Sequence, residues 1–220
     1  MHQMKEVKKV VRNIMEIYIV RHGETVWNAQ KRLQGSEDIE LNEYGRALAG
    51  ETGVALEDVH FDKIYSSPLL RAYETACLIR GHRNIPIIRD KRLMELNFGI
   101  YEGGNFAALL KDESDPFHHF FDRPDLYVAP PKGETLEHIC ERTAQFMKEV
   151  IEPQQKDAER IMIVGHGAMN KAIMCHVKQH GVKDFWSGGL QKNCNVIMVS
   201  LDEDGYHILD ETRIFYKESM

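Results

Sequence analysis

The chain has 220 residues, 43% of them hydrophobic, and a formal net charge of −6 when its eleven His are counted as neutral. A chain of this size and composition can bury a substantial core, which excludes intrinsic disorder as a description of the whole. The acidic balance, with no basic stripe, argues against nucleic acid or an anionic membrane surface as a partner.

Apolar runs, the N-terminus and the cysteines all favour a cytoplasmic location. The best apolar runs, such as Ile17–Val20, fall far short of the roughly 18 residues that a membrane span requires. Residues 1–13 contain lysines but no apolar stretch of a secretory signal, so we predict an N-terminal extension before a single domain over residues 14–220. The cysteines form no C-x-x-C pair, which favours reduced thiols. They are Cys77, Cys140, Cys175 and Cys194.

The first elements in chain order are a strand and a helix. Ile17–Val20 is a run rich in β-branched residues, which predicts a strand ending at Arg21–Gly23. Asn42 is a typical helix N-cap residue, and the pattern after it predicts a helix to about Leu56.

The middle of the chain predicts a second strand and helix, followed by an irregular segment. Phe61–Tyr65 is the predicted strand, and the helix after it is predicted to have Ser67 at its N-cap and Pro68 at its first position. Residues 103–131 contain several prolines and no long periodic pattern. We expect them to form a partly helical excursion over one end of the sheet.

The last third predicts a helix, a strand, a second helix and a hairpin. Thr135–Ile151 has apolar residues at helical spacing, and Ile161–Val164 is a second buried strand pattern. Gly167–Gln179 is predicted to be a helix ended by Gly181. Apolar and polar residues alternate over Asn193–Phe215, which predicts a terminal hairpin. The continuous apolar strands and the strand-to-helix units together predict an α/β fold with a parallel sheet.

Two histidines occupy equivalent positions after strands. His22 follows the first strand, and His166 follows Ile161–Val164. Ligands of open α/β sheets bind outside the carboxyl ends of the strands, so neighbouring strands would bring both imidazoles to one crevice. A single histidine in a loop is usually an ordinary polar residue, but two in equivalent positions favour a functional site.

Arg71 provides an electrostatic argument for a bound anion. It lies in the first turn of its predicted helix, where the macrodipole is unfavourable to a cation unless an anion is also present. Arg21 adds a second guanidinium beside His22, and guanidinium groups suit phosphoryl oxygens. The alternative for Arg71 is an ordinary ion pair with Glu74, three residues further on.

Several blocks in fixed order carry a resemblance to a known family. They are Arg21–Thr25 with Asn28, Ser66–Ala72, Glu95–Gly99 with Glu102 and Gly103, and Gly165–Gly167. This set resembles the histidine phosphatase superfamily, in the branch that includes cofactor-dependent phosphoglycerate mutase. The resemblance extends over most of the chain and implies a three-layer α/β/α sandwich with a mostly parallel central sheet.

The resemblance also implies the roles of the site residues. His22 would be the nucleophile that forms a phosphohistidine through Nε2. Glu95 would protonate the leaving alkoxide and then activate water, whereas its rival Glu102 fits a structural position. The phosphate would be bound by side chains or amides of the remaining site residues, which are Arg21, Asn28, Arg71, His166 and Gly167. Two arginines and two histidines can provide the charge for this chemistry, so we expect no metal and no other cofactor.

Three functions remain open on the sequence. The first is a phosphomonoesterase for a small phosphorylated metabolite, and the second is a phosphoglycerate mutase that uses the same site. The segment between Glu95 and Gly133 is shorter than family mutases generally have, which favours the phosphatase. The third is a non-catalytic sensor of phosphometabolites, which the presence of His22 and Glu95 disfavours. The sequence predicts no oligomeric state.

Other polar residues have alternative interpretations. His176 and His180 have a helical spacing that can bind metal, but a pair on a helix face is favoured because no third ligand is recognisable. Cys175 and His176 are adjacent and point in different directions, so they are not a catalytic dyad. In the excursion, we expect one of four polar residues to face the pocket. These are His118, His119, Arg123 and Tyr127.

Overall fold

A six-stranded sheet forms the centre of the computed structural model, which describes residues 14–217. The strands are β1 (Met15–Arg21), β2 (Lys63–Ser66), β3 (Ile87–Arg89), β4 (Arg160–Gly165), β5 (Val196–Asp202) and β6 (Gly205–Arg213). Their order is β3-β2-β4-β1-β5-β6, with β1 to β4 parallel and β5 and β6 antiparallel. The mostly parallel α/β sheet expected from the sequence is therefore confirmed.

Helices connect the strands and cover the sheet. The α-helices are α1 (Val26–Ala29), α2 (Glu43–Ala55), α3 (Leu70–Arg80), α4 (Phe106–Lys111), α5 (His119–Asp122), α6 (Leu136–Phe146) and α7 (Gly167–Lys178). A π-helical stretch, Met147–Ile151, extends α6. Short 3₁₀ turns occur at Lys91–Leu93, Gly99–Tyr101, Pro116–His118, Pro124–Leu126, Glu152–Gln154 and Val182–Asp184.

Alternate residues of the central strand face two separate cores. Ile17 and Ile19 of β1 belong to the larger core, which includes residues of α6, α7 and the excursion. Tyr18 and Val20 belong to a second core with residues of α3. Since successive side chains of a strand point to opposite faces, both faces of the sheet are covered and the molecule has three layers.

Most predicted elements are present, with narrower bounds. Asn42 caps α2 by accepting a hydrogen bond from the Gly45 amide at 2.7 Å, and Thr135 caps α6 through the His138 amide at 3.2 Å. The terminal hairpin is β5 and β6. The strand predicted at Phe61–Tyr65 begins two residues later than expected.

Two helix boundaries were wrongly predicted. Ser67 is not the N-cap of α3, because Leu69 occupies that position and Ser67 accepts from the Leu69 amide in the preceding turn. The first helical amide, that of Leu70, donates instead to Asp38, a residue distant in sequence. At the other helix, α7 ends at Lys178 because Gln179 takes the left-handed conformation that was expected of a later glycine.

The excursion over residues 103–131 is partly helical, as expected, and is held together by aromatic rings. Phe117 stacks on Phe120 at 5.2 Å between centroids, and both are buried in the larger core. The predicted extension over residues 1–13 lies outside the described part of the chain. Within residues 14–217, none of the helices has the length and hydrophobicity needed to cross a membrane.

Candidate active site

The two histidines that follow strands meet at the carboxyl ends of the central strands β1 and β4. β1 and β4 are parallel neighbours with Arg21 opposite Gly165, and the His22 amide donates to the Gly165 carbonyl at 2.9 Å. The rings of His22 and His166 are both buried, with their centroids 5.2 Å apart. The structure therefore brings them together in the crevice expected from the sequence.

The His22 ring has a defined tautomer. Its Nδ1 lies 2.6 Å from the Gly23 carbonyl oxygen. Because a carbonyl can only accept, Nδ1 carries the proton and Nε2 keeps its lone pair. Burial, and then the charges of Arg71 and Arg21, lower the pKa of His22 well below the ordinary histidine value. His22 is therefore neutral at physiological pH, with Nε2 available as a nucleophile.

Arg71 is a fully buried cation at the start of α3. Its terminal nitrogens donate to the carbonyls of Gly35 and Glu37, at 2.7 Å each. Glu74, the alternative partner considered from the sequence, instead accepts from Arg46 at 2.6 Å. Burial lowers the pKa of Arg71 to about 10, so the side chain remains charged at neutral pH.

Several buried donors around His22 are left without a protein partner. Arg21 ends β1 and donates through one terminal nitrogen to the Gln191 carbonyl. Among the described residues, Nε of Arg21, Nε of Arg71 and both ring nitrogens of His166 are buried without a hydrogen bond. Buried polar groups are normally paired, and leaving them unpaired is costly. A phosphoryl group, with several anionic oxygens, would complement these donors.

The charge state of His166 would respond to a bound anion. Burial lowers the pKa of His166 well below its ordinary value, and the charges of Arg71 and His22 act in the same direction. The ring is therefore neutral in the structure as it stands, with one donor and one acceptor nitrogen. A phosphate dianion beside it would oppose the shift and favour the imidazolium.

Glu95 caps the helix that follows His166. Its Oε1 accepts from the amides of Leu96 at 3.0 Å and Met169 at 2.9 Å, and its Oε2 accepts from the Ala168 amide at 3.2 Å. His166 occupies the N-cap position of α7 without a capping hydrogen bond from its own side chain. The carboxylate of Glu95 thus satisfies two otherwise orphan amides of α7, and these bonds fix its position.

The two predicted additional donors, Gly167 and Asn28, both line a cavity at this site. A Cβ built on Gly167 would lie 3.7 Å from Oε2 of Glu95 and 3.9 Å from Cζ of Arg21. The carboxylate and the guanidinium therefore flank the start of α7. The side-chain oxygen of Asn28 accepts from the Thr25 amide at 3.1 Å, which leaves its amino group as the donor.

Glu102 has a structural position, in agreement with the sequence interpretation. Its carboxylate accepts from the amides of Ser36 at 2.8 Å, Glu37 at 3.0 Å and Phe98 at 3.0 Å. These bonds hold the loop whose carbonyls bind Arg71. Glu102 therefore supports the site through the backbone.

The cavity has a volume of about 240 Å³ and joins the charged cluster to the excursion. Arg21, His22, Arg71 and Glu95 line it together with Phe106 and Ala107 of α4, Phe120 and Phe121 of α5, and Trp186 and Leu190. The excursion therefore contributes phenylalanine side chains to the wall. The cluster of aromatic residues at 117–121 is the feature of the sequence that could have indicated this wall. The spacing of these residues does not show which rings face the cavity.

The structure contradicts the expectation of a polar excursion residue at the cavity. The four candidates were His118, His119, Arg123 and Tyr127, and none of them lines it. Arg123 forms an ion pair with Asp125, and the Tyr127 ring packs against Phe120. The short helical turns direct these side chains away from the cavity and the phenylalanines towards it.

The sequence analysis did not identify a largely buried ion pair beside Glu95, which is formed by Arg142 and Glu134. Arg142 donates to Glu134 through two nitrogens, at 2.7 and 2.9 Å, and to the Glu95 carbonyl at 3.2 Å. Burial alone would raise the pKa of Glu134, but its bonds with Arg142 and His138 lower it overall. Both residues lie in or near α6, where their spacing gives no local signal of a role in holding the Glu95 loop.

The rival histidines, His176 on α7 and His180 just after it, have structural contacts. His176 donates to Glu152 at 2.7 Å, and His180 lies 3.2 Å from the Gly181 carbonyl. The His176 ring thus turns towards Glu152 and away from any dyad with Cys175. Over the described part of the chain, no group of three or more His, Cys, Asp or Glu side chains is arranged to hold a metal ion.

Comparison with known proteins identifies the family. The sequence model of the histidine phosphatase superfamily (branch 1) matches residues 17–212. A 2,3-bisphosphoglycerate-dependent phosphoglycerate mutase of Cytophaga hutchinsonii is 34% identical over 76% of this chain and 79% of its own length. Phosphoserine phosphatase 1 of Hydrogenobacter thermophilus is 28% identical over 86% of this chain and 88% of its own.

A solved structure agrees with these sequence matches. Bacillus stearothermophilus YhfR superposes with a TM-score of 0.84 and 32% identity, over 92% of this chain and all of its own. The family match covers the strands that carry His22 and His166 and the loop that carries Glu95. The chain therefore belongs to the histidine phosphatase superfamily, branch 1.

Proposed function

We propose that this protein is a metal-independent phosphomonoesterase that hydrolyses a small phosphorylated metabolite through a phosphohistidine at His22. The observation that carries the proposal is the neutral His22 ring, fixed by Gly23, among buried cationic donors that lack a partner in the described chain. A neutral imidazole is nucleophilic, and the donors of Arg21 and Arg71 complement the oxygens of a phosphoryl group.

The first step of the proposed reaction forms the phosphoenzyme. The lone pair on Nε2 of His22 attacks phosphorus as the bond from phosphorus to the ester oxygen breaks. Glu95, in its protonated form, transfers its proton to the leaving oxygen, which departs as the alcohol. Arg21, Arg71 and His166 stabilise the three non-bridging oxygens, with Asn28 and Gly167 as further donors.

The second step regenerates the free enzyme. Glu95, now a carboxylate, takes a proton from water as the water oxygen attacks the phosphohistidine. The bond between phosphorus and Nε2 breaks, and inorganic phosphate leaves. The same carboxyl group thus serves as acid and base in turn, and the backbone amides of α7 hold it in one position for both steps.

Phosphoglycerate mutase is the second candidate, and the identity to the Cytophaga mutase favours it. In that reaction the phosphohistidine returns its phosphoryl group to a bound phosphoglycerate and not to water. The cavity wall favours the phosphatase, because rings of the excursion and Trp186 line it beside the phosphate site. Isomerisation of 3-phosphoglycerate in the presence of 2,3-bisphosphoglycerate, at a rate above phosphate release, would decide for the mutase.

A cytoplasmic location and a single domain over residues 14–220 complete the proposal. The four cysteines are free of disulfides, as expected in a reducing compartment. The family match begins at residue 17 and ends at residue 212, within the proposed domain.

The test is phosphate release from a panel of phosphate monoesters in the presence of a metal chelator. We expect turnover of at least one ester by the wild type and a loss of at least about 1000-fold in His22→Asn, which keeps a polar side chain of similar size. Arg46→Gln is a matched control on the surface, and we expect it to keep full activity. Absence of turnover on every ester, or equal turnover by His22→Asn, would refute the proposal.

A further inference from the structure

The cavity has two chemically different parts. One part is the charged cluster around His22. The other is an apolar wall that includes the rings of Phe106, Phe120, Phe121 and Trp186. A substrate whose phosphoryl group lies at His22 must therefore place the rest of its structure against apolar side chains.

The rings of the aromatic wall pack against one another. Phe121 and Trp186 have ring centroids 4.7 Å apart, and Phe106 packs edge-on against Phe121 at 5.3 Å. The indole nitrogen of Trp186 donates to the Phe120 carbonyl at 2.5 Å. This nitrogen is the only polar atom of the Trp186 side chain, and its proton is already donated within the protein. Trp186 therefore offers a ligand ring surface and no hydrogen-bond donor.

Two further basic residues, Arg32 and Lys31, line the cavity. Arg32 donates to the Gly103 carbonyl at 2.7 Å, and its guanidinium lies over the Trp27 ring, 4.1 Å from the centroid. Lys31 is solvent exposed. A carboxylate seated against Phe121 and Trp186 would receive no hydrogen bond from the indole, and burying it against rings without a partner would be unfavourable.

We propose that the preferred substrates are phosphate monoesters whose alcohol carries an apolar ring close to the ester oxygen, seated against Phe106, Phe121 and Trp186. This inference rests on the proposed phosphatase function and narrows its substrate class. Ring surface leaves water on binding, and aromatic rings gain further from edge-to-face contacts. Small acidic esters, such as phosphoserine and 3-phosphoglycerate, gain neither contribution.

The test compares kcat/KM for benzyl phosphate with that for ethyl phosphate, phosphoserine and 3-phosphoglycerate. Benzyl and ethyl phosphate both release an alkoxide of similar basicity, so their difference reports the ring and not the proton transfer. We expect benzyl phosphate to exceed each of the other three by about tenfold or more. Equal or higher kcat/KM for either acidic ester would overturn the inference.

Variants of the wall provide the second readout. Phe121→Ala and Trp186→Ala should each lower kcat/KM for benzyl phosphate by about tenfold and change that for ethyl phosphate by less than about twofold. Phe121→Leu, which keeps apolar volume, should recover part of the preference. Phe215→Ala truncates a ring that stacks on Tyr18 in the other core and serves as the control. Equal losses on both substrates would assign the wall a purely structural role and refute the inference.

The two proposals fail in different ways. If no ester is hydrolysed, the phosphatase function itself is refuted. If phosphoserine or ethyl phosphate is hydrolysed through His22 at least as well as benzyl phosphate, the function stands and only the substrate class is refuted.

Discussion

Burial and two neighbouring guanidinium groups keep the His22 ring neutral, and the Gly23 carbonyl decides which of its nitrogens is free. His22, His166 and Arg71 could be found from the sequence, because each follows a strand or opens a helix, positions where function concentrates in α/β proteins. Arg142 could not be found in this way. Its partner Glu134 is eight positions away, and only the folded chain shows that the pair holds the Glu95 loop.

The charge state of His22 can be measured directly. We expect its ring to be still mostly neutral at pH 6.5, because burial and the charges of Arg71 and Arg21 lower its pKa well below that ordinary value. Nitrogen-15 NMR of the ring resonances, assigned with His22→Asn, gives the titration curve and the tautomer. Protonation of His22 with a midpoint at or above 6.5, or a proton on Nε2 and none on Nδ1, would contradict this account.

The proposed acid role of Glu95 predicts a dependence on the leaving group. Glu95→Gln cannot give a proton to an alkoxide, so turnover of an alkyl phosphate should fall by about 100-fold or more. An activated aryl phosphate, whose leaving group needs no proton, should form the phosphoenzyme with a much smaller loss. The measurement is the single-turnover rate of alcohol release from each ester. Equal losses on both esters would remove Glu95 from the acid role.

The elements place these residues through contacts between segments distant in sequence. α7 begins at a histidine that does not cap it, and Glu95, from a loop more than seventy positions earlier, supplies the capping carboxylate. The start of α3 is similar, since Asp38 and not Ser67 accepts from the first helical amide. Capping by a distant residue leaves no local pattern in the sequence. A helix cap could therefore be predicted only where the capping residue directly precedes its helix, as Asn42 precedes α2.

The ion pair between Arg142 and Glu134, which holds the Glu95 loop, should contribute to stability. Arg142→Met removes two hydrogen bonds from the largely buried carboxylate of Glu134 and leaves His138 as its remaining side-chain partner, so we expect the free energy of unfolding to fall by about 2 kcal/mol. The control is Arg123→Met, which breaks the more exposed pair with Asp125 and should cost less than about 1 kcal/mol. Urea denaturation of both variants gives the comparison. A loss in Arg142→Met no larger than in the control would refute this role.

At the scale of the whole molecule, the net charge of −6 describes the surface and not the site. The sheet order puts β1 next to β4, so the cationic groups collect in one crevice of an acidic protein. The sequence could predict the mostly parallel sheet, because continuous apolar strands alternate with helices. It could not predict the aromatic wall of the excursion, since the short helical turns there direct each side chain by tertiary packing.

Stability of the protein without phosphate should fall as the pH drops below about 6.5. His22 and His166 have a lowered pKa in the folded state, whereas in the unfolded chain each has the ordinary histidine pKa of about 6.5. Below that pH the unfolded chain therefore binds more protons than the folded protein. Their contribution is complete above that pH and is lost as the pH falls, by up to about 1.4 kcal/mol per pH unit for each histidine. Urea denaturation at several pH values gives the free energy of unfolding as a function of pH. Its decrease per pH unit should be smaller in His22→Asn than in the wild type. Identical slopes in the wild type and the variant would contradict the assignment of His22.

The most direct test of the central claim is to trap the phosphoenzyme. Wild-type protein is mixed with benzyl phosphate, quenched under alkaline conditions within milliseconds, and digested for mass spectrometry. The account predicts a phosphoryl group on His22, formed at least as fast as steady-state turnover, labile in acid and absent from His22→Asn. Phosphate release by the wild type with no phosphorylated His22 at any time, or a phosphoryl group on another residue such as His166, would contradict it.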